Sequence, residues 1–380
     1  MTTHEPLATS GSSPVGWLRS EAAFVAGAVT TALFWSFGDR WLSDLSSPWW
    51  YALLFAWDFA IMLWLSFGVV RHADYLAVLL GEPYGTLILT ISVIGIEVVL
   101  IAAVMLAGDN PTLGRDTMFS VVMIVLNGIL GLTLLMGGIR HHEQVYNLQG
   151  ASAYLGVIIP LSILGLVLPR FTTSAPGGQL ANRDAVYMIF MSAGLYAVFL
   201  AVQTMRHAEF FEEPGGSHAS GSDHEELLAT VQSIPHHAAL LVLTMLPIVL
   251  LSKKMALLVD YGVEALGAPP ALGGFFVATL VLAPEGLSAV RAALANRLQR
   301  TVNLALGAAL STIGMTIPAV LAVGLATGKT VELGLELPQI VILLLTLLVS
   351  VVTFGIGRTN VLQGAVHLIL FVTYVMMIFQ

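Results

Sequence analysis

The chain has 380 residues, of which 57% are hydrophobic and 10% are charged. Soluble domains carry about 25% charged residues, so this composition excludes an ordinary soluble globule, which could not cover its apolar surface. The net charge of −8, without basic patches, excludes a nucleic-acid partner. The absence of cysteine excludes disulfides, thiolate metal sites and thiol redox chemistry. The sequence therefore predicts an all-α, polytopic membrane protein whose surroundings are a lipid bilayer.

Apolar runs of roughly membrane-spanning length follow one another along the chain. The first 17 residues precede them, lack the features of a cleaved signal peptide, and are expected to form a disordered tail. A further segment, Met255–Leu266, is too short to cross alone and is expected to continue the seventh helix or to lie at the interface. The eleven predicted spans are Leu18–Phe37, Trp49–Val70, Tyr84–Leu106, Thr117–Met136, Tyr154–Leu168, Ala185–Val202, Ala238–Leu251, Leu272–Ala293, Val302–Ala326, Ile340–Gly355 and Val361–Phe379.

A hydrophilic stretch, residues 206–237, divides these spans into six and five. It is rich in acidic residues and histidine, and its Gly/Ser-rich middle is typical of a flexible tether. If the first span is set aside, five spans remain in each half, so the second half must insert with inverted topology, as in inverted-repeat transporters. The predicted organisation is a tail (1–17), an extra N-terminal helix with its loop (18–48), a first five-helix repeat (49–205), the acidic loop (206–237) and a second five-helix repeat (238–380).

Each predicted half carries a glutamate well inside the second of its helices. Glu97 lies in ISVIGIEVVLIAAV, and Glu285 lies in VLAPEGLSAVRAAL. A carboxylate at mid-membrane costs about 2.5–3.5 kcal/mol on insertion scales. If both were protonated groups with a purely structural role, their matching positions would be an accident. We therefore predict that Glu97 and Glu285 bind the transported cation, or protons, in competition.

Oxygen atoms near the glutamates supply further candidate ligands. Pro284 leaves the carbonyl of Leu280 without its helical partner, and Thr90 precedes Glu97 on the same helix face. Each candidate has a packing alternative, namely a bare kink at Pro284, back-bonding for Thr90, and polar contacts between helices for the others. Ligand sets made only of oxygen favour Ca²⁺, Na⁺, K⁺ or H⁺ over soft transition metals. Small and polar stripes on the helices that follow each glutamate add Asn127, Asn303 and Ser311.

Other polar residues in the spans are not placed at the site. Glu21 is expected to reach the interface, Asp58 has no counterpart in the other half, and His367 is expected to pack between helices. The acidic loop is either a solvated spacer or an element that senses cations or pH, since its histidines titrate near neutrality. Its candidate regulatory residues are Glu209, Glu212, Glu213, Asp223, His224, Glu225 and Glu226.

Four segments around these residues resemble the calcium/cation antiporter superfamily, and within it the bacterial ChaA-type Ca²⁺/H⁺ antiporters. The resemblance implies ten core helices in two inverted halves plus one extra helix, and it places the family's two essential glutamates on Glu97 and Glu285. The superfamily's G-N-A-x-E pattern is replaced here by I-G-I-E and L-A-P-E, so the preference between Ca²⁺ and Na⁺ or K⁺ is left open. The similar segments are Gly81–Ile101, Arg115–Gly138, Val259–Pro269 and Leu282–Val320.

The sequence thus predicts a secondary antiporter, and not an enzyme, that exchanges Ca²⁺ for protons by alternating access without a cofactor. Na⁺ and K⁺ are further candidate cations, and a mainly monovalent Na⁺(K⁺)/H⁺ antiporter is the first alternative. A passive cation channel and an intramembrane hydrolase are more distant alternatives, and no nucleophile–base motif supports the hydrolase. We expect a bacterial cytoplasmic membrane, with the tail and the acidic loop in the cytoplasm, because arginine and lysine lean weakly to that side, eight against seven. Glu97 and Glu285 should meet near mid-membrane, with Asn127 and Ser311 facing the same cavity.

Overall fold

Eleven helical segments make up most of the computed structural model, which describes residues 19–80, 84–107, 110–175, 177–214 and 233–380. A short 3₁₀ turn, Ala208–Phe211, follows the sixth helix, and two short strands, β1 (Gln144–Val145) and β2 (Arg358–Thr359), pair antiparallel. The helices are α1 (Ala22–Leu42), α2 (Pro48–Leu80), α3 (Tyr84–Ala107), α4 (Leu113–His141), α5 (Leu148–Phe171), α6 (Asn182–Arg206), α7 (Ile234–Leu266), α8 (Ala271–Leu294), α9 (Leu298–Thr327), α10 (Leu337–Thr353) and α11 (Val361–Ile378).

Nine of these helices, within the described ranges, are long and apolar enough to cross a membrane. The predicted membrane fold of eleven helices is confirmed. We call the side on which α6 ends and α7 begins the loop side, and the side on which α7 ends and α8 begins the far side. Segment Met255–Leu266 continues the seventh helix, because α7 runs without interruption from Ile234 to Leu266.

Two boundaries differ from the sequence prediction because polar residues at the helix ends find partners inside the protein. Helix α2 continues past Val70 to Leu80, and Glu21 accepts hydrogen bonds from Arg71 at 2.6 Å and from His72 at 3.1 Å. Glu21 is therefore buried in an ion pair, and the expectation that it reaches the interface was wrong. Helix α7 begins at Ile234, so the last residues of the predicted acidic loop belong to a helix.

The first three helices of each half repeat each other in length. Helices α2 and α7 both have 33 residues, and α3 and α8 both have 24. The next helix in each half, α4 or α9, has 29 or 30 residues and contains a π turn, Ile124–Ile129 in α4 and Thr312–Thr316 in α9. Helices α5 and α6 also contain a π turn, whereas their counterparts α10 and α11 are shorter and contain none. The equivalence of the halves is therefore supported by their first three helices.

Helices α2 and α7 pack antiparallel and make equivalent contacts at both ends. On the far side, the rings of Tyr51 and Tyr261 lie 5.4 Å apart; on the loop side, those of Tyr75 and His237 lie 4.8 Å apart. Tyr51 and His237 are the fourth residues of their helices, and Tyr75 and Tyr261 are the twenty-eighth. Each contact therefore joins the same two helix positions, as expected of a local two-fold axis in the membrane plane.

Hydrogen bonds also join the two ends of this helix pair, but their chemistry differs. On the far side, the Tyr51 hydroxyl donates to the carbonyl of Leu258 at 3.2 Å. On the loop side, Nδ1 of His72 lies 3.2 Å from Nδ1 of His237, and His72 also contacts Glu21. A neutral donor thus holds one end of the pair, and a cluster of ionisable groups holds the other.

Helix α4 packs closely against α8 and α11, because glycines on those two helices allow them to approach its backbone. A Cβ atom on Gly274 of α8 would lie 2.6 Å from the backbone of Asp116, and one on Gly364 of α11 would collide with the backbone nitrogen of Leu135. In a membrane, where lipid tails are as apolar as leucine, such close approach is a main source of helix association. These contacts fix α8, and with it Glu285, against α4.

We predict that Gly364→Val and Gly274→Val destabilise the protein, because the added atoms would meet backbone that cannot move aside. Overpacking of this kind costs about 3 kcal/mol. The matched control is Gly156→Val, since nothing lies within 4 Å of a Cβ at Gly156 on α5. Thermal unfolding of the detergent-solubilised variants, followed by size-exclusion chromatography, measures the effect. A Gly364→Val protein as stable as Gly156→Val would contradict the close backbone contact.

Candidate functional site

Glu97 lies in the middle of α3, and hydroxyl groups from the other half satisfy its carboxylate. It is the fourteenth of the 24 residues of α3 and is 2% exposed. Thr312 donates to Oε2 at 2.8 Å and Thr316 donates to Oε1 at 2.9 Å. Both threonines belong to the π turn of α9. The π turn thus presents two hydroxyls to one carboxylate across the boundary between the halves.

Glu285 occupies the equivalent place in the second half but has fewer partners. It is the fifteenth of the 24 residues of α8 and follows Pro284, which lacks an N–H and interrupts the helical bonding there. Its Oε2 atom is buried and has no hydrogen-bond partner among the described residues. An unpaired buried carboxylate oxygen is costly, so this atom is available to a proton or a cation.

The two glutamates lie close enough to each other for a direct electrostatic interaction. Tyr196 of α6, which is 4% exposed, lies close enough to interact with both of them. Two carboxylates have therefore been brought together from halves that are 188 positions apart in the sequence. Each glutamate lies near the middle of a 24-residue helix, and their meeting near mid-membrane stays a prediction.

A cavity of about 770 Å³ leads from the loop side to Glu285. Its walls come from α2, α5, α6, α8 and α9, and its outer end is lined by Phe211 and Glu212, which follow α6. Ser311 and Gly307 of α9 line it further inside. At about 30 Å³ per molecule, such a volume holds on the order of 25 waters. Glu285 is therefore reached from one side of the protein by water and small ions.

Two of the predicted secondary ligands line this cavity, at different depths. Ser311 lies near Glu285, and its hydroxyl donates back to the carbonyl of Ala308 at 3.0 Å. Asn303 lies nearer the outer end, where it donates to the carbonyl of Phe211 at 2.6 Å. The hydroxyl and amide oxygens of these residues are thus positioned along the route to Glu285 rather than around Glu97.

The other predicted ligands lie elsewhere or cannot be described. Asn127 donates to Thr346 at 2.8 Å and contacts His367 at 3.1 Å, so it belongs to the packing between α4, α10 and α11 and not to the cavity wall. His367 is buried in the same contact, as expected of a packing residue. Leu280, whose carbonyl was a predicted ligand, is 1% exposed and precedes Glu285 on α8. The side chain of Thr90 lies outside the described residues.

The candidate regulatory residues fall into two groups. Glu209, Glu212 and Glu213 are exposed just beyond α6, and Glu212 lines the outer end of the cavity. The remaining predicted loop residues lie outside the described part of the chain: Asp223, His224, Glu225 and Glu226.

Asp58, which was not placed at the site, is fully buried on α2, and neither of its oxygens has a partner among the described residues.

Three further residues at the candidate site, Thr312, Thr316 and Tyr196, were not predicted from the sequence. Thr312 follows Ser311 directly, about 100° further round an ideal helix, so it lies off the stripe used to select candidates. The spacing of four between Thr312 and Thr316, which places both hydroxyls near one helix face, was the available signal. Tyr196 is an aromatic residue in an apolar helix, and no sequence pattern sets it apart.

The chemistry of this arrangement is that of hard cations and protons. The groups at its centre are two carboxylates, hydroxyls and a phenol, all of which offer oxygen. Oxygen ligands suit Ca²⁺ and alkali cations. Within the described ranges, no cluster of three or more His, Cys, Asp or Glu side chains is arranged as a transition-metal site.

Comparison with known proteins agrees with this chemistry. The chain matches the family described as sodium/calcium exchanger protein over residues 50–205 and 236–380. It is 44% identical to y4hA of Sinorhizobium fredii over 313 residues, which are 82% of this chain and 84% of the relative. It is 40% identical to the sodium-potassium/proton antiporter ChaA of Escherichia coli over 315 residues, 83% of this chain and 85% of the relative.

A solved structure has the same fold. The Ca²⁺/H⁺ antiporter YfkE superimposes with a TM-score of 0.69 at 19% sequence identity, covering 94% of this chain and 99% of YfkE. The matched family segments contain both Glu97 and Glu285. The chain is therefore an integral membrane protein that belongs to the sodium/calcium exchanger family.

Proposed function

We propose that the chain is a secondary antiporter that exports Ca²⁺ in exchange for protons and also accepts Na⁺ or K⁺. The observation that carries this proposal is the pair Glu97 and Glu285, one carboxylate from each half, of which Glu285 lines a cavity that opens on one side. Burying two carboxylates without countercharge is very unfavourable. The pair therefore requires either a bound cation or bound protons, and competition between the two couples their movements.

Alternating access follows from the same geometry. The cavity leads from the loop side to Glu285, while helix ends on the far side are joined by hydrogen bonds. There Lys329 donates to the carbonyl of Met105 at 3.0 Å, and Arg115 donates to the carbonyl of Gly334 at 3.1 Å. The structure described here is thus open to the loop side. Rocking of the halves about the pair would release these contacts and open the far side.

The choice of cations is supported by the oxygen donors and by the relatives. The relative from Escherichia coli is named as a sodium-potassium/proton antiporter, and YfkE as a Ca²⁺/H⁺ antiporter. A site with two carboxylates and flanking hydroxyls can neutralise one divalent ion or two monovalent ions. We place the protein in the bacterial cytoplasmic membrane with its loop side in the cytoplasm, and we assign a regulatory role to the acidic loop.

Transport by purified protein in proteoliposomes tests the proposal. An imposed pH gradient should drive uptake of Ca²⁺, and of Na⁺ or K⁺, and each cation gradient should drive proton movement in the opposite direction. Exchange of monovalent cations alone would establish the Na⁺(K⁺)/H⁺ alternative. Cation flux that needs no opposing proton movement would contradict antiport and indicate a channel.

We predict that Glu97→Gln and Glu285→Gln each reduce exchange to the level of empty vesicles while the protein still folds. Glutamine keeps the volume and hydrogen bonding but cannot alternate between a proton and a cation. The control is Glu143→Gln, because Glu143 is an exposed loop residue whose contact is a 3.5 Å ion pair with Arg358. Normal Ca²⁺/H⁺ exchange by either variant would remove that glutamate from the site.

We also predict that Thr312→Val and Thr316→Val raise the half-saturating cation concentration about tenfold each. Valine keeps the shape of threonine but removes a hydroxyl that donates to the Glu97 carboxylate, and such bonds to charged groups contribute about 1.5 kcal/mol. Thr327→Val is the control, since the Thr327 hydroxyl donates to the carbonyl of Val323 in its own helix. Concentration dependence of exchange measures the effect, and unchanged half-saturation in both variants would show that these hydroxyls do not serve the site.

A further inference from the structure

Besides Glu212 at its outer end, the loop-side cavity is lined by two charged side chains that have no part in the central pair. Asp74 of α2 and Arg300 of α9 both line the cavity and are exposed to it. Asp74 lies close enough to Arg300 and to Glu285 to interact electrostatically with each. The direct ion pairs among the described residues include neither Asp74 nor Arg300. The Asp74 carboxylate therefore faces water between the opening of the cavity and Glu285.

Asp74 has a counterpart in the second half. The pattern Asp-Tyr-x₄-Leu-Gly-x-Pro occurs twice, at residues 74–83 and at residues 260–269. In each copy the aspartate is the twenty-seventh residue of a 33-residue helix, so Asp260 on α7 matches Asp74 on α2. The tyrosines that follow them, Tyr75 and Tyr261, make the equivalent ring contacts at opposite ends of the α2–α7 pair. The two aspartates thus lie at matching places near opposite membrane sides.

Arg300 also has a counterpart, and the two arginines are in different states. Arg300 and Arg115 are the third residues of α9 and α4. On the far side Arg115 is buried, where it donates to Asp116 at 2.8 Å and to the carbonyl of Gly334 at 3.1 Å. On the loop side Arg300 is exposed in the cavity. The difference corresponds to an open loop side and a closed far side.

We propose that Asp74 and Asp260 are vestibule carboxylates, each of which concentrates hydrated cations arriving from its own membrane side and passes them to Glu97 and Glu285. The inference rests on the proposed exchange function and assigns it two further residues. In the open form, the volume of the cavity lets a cation reach Asp74 with its water shell. Attraction by a carboxylate in a confined cavity raises the local cation concentration. Arg300 opposes that attraction, so the cation does not remain at Asp74, as conduction through successive sites requires.

A sided transport assay tests this inference on the full-length protein. Because the chain has no cysteine, one engineered cysteine in an exposed loop allows molecules of one orientation in proteoliposomes to be blocked with an impermeant reagent. Half-saturating Ca²⁺ concentrations are then measured from each side for wild type, Asp74→Asn, Asp260→Asn and Arg300→Gln. Glu143→Gln on the loop side and Asp44→Asn on the far side are the controls, since both residues are exposed in loops.

We expect Asp74→Asn to raise the half-saturating Ca²⁺ concentration about tenfold from the loop side only, and Asp260→Asn to do so from the far side only. Arg300→Gln should lower it from the loop side. High ionic strength should reduce all three differences, because the effect is one of screened charges. Asp74→Glu should restore the wild-type value if the charge is what matters.

Equal changes from both sides, or no change in a folded Asp74→Asn protein, would overturn the inference. If Asp74→Asn does not fold, the Arg300→Gln protein decides the question. An unchanged half-saturating Ca²⁺ concentration from the loop side in that variant would contradict the inference. Failure of the proposed function is distinguishable from these outcomes, since wild-type protein would then show no proton-coupled exchange at all.

Discussion

The structure depends on one constraint, which is that two carboxylates share the protein interior with no basic side chain of the described residues bonded to either. Two hydroxyls satisfy the Glu97 carboxylate, while one oxygen of Glu285 has no partner in the described part of the chain. Such a pair is stable only with a proton or a cation in place. The cavity, the π turn that supplies Thr312 and Thr316, and the inverted halves that bring the glutamates together all serve to place that pair where ions can reach it.

Much of this organisation could be predicted from the sequence, because in a membrane hydropathy and helix count constrain the fold strongly. The eleven helices and the membrane fold were confirmed, and nine of these helices, within the described ranges, are long and apolar enough to cross a membrane. The boundaries of α2 and α7 were not predicted. Charged and polar residues such as Arg71 and His72 normally mark the end of a span, and the sequence does not show that Glu21 is their partner inside the protein. A burial that depends on a contact between distant residues leaves no local pattern.

The site was predicted less completely than the fold, because the sequence does not fix how each helix is rotated about its axis relative to its neighbours. A stripe of polar residues shows that one helix face is special, but it does not show which neighbour that face meets. On α4 the stripe faces α10 and α11, so Asn127 bonds Thr346. On α9 the stripe faces the cavity, and the π turn carries the neighbouring Thr312 and Thr316 to Glu97. Asp74 escaped notice because it lies close to a predicted helix end, where a charged residue is ordinary.

The equivalent contacts at the two ends of the α2–α7 pair have a consequence for energetics. If the contacts at the two ends of this helix pair were identical, they would favour neither orientation of the transporter at rest. Here a tyrosine hydroxyl bonds the helices at one end, and an ionisable cluster of Glu21, His72 and His237 joins them at the other. The different chemistry at the two ends of this helix pair can therefore favour one orientation of the molecule at rest, without any change at Glu97 or Glu285.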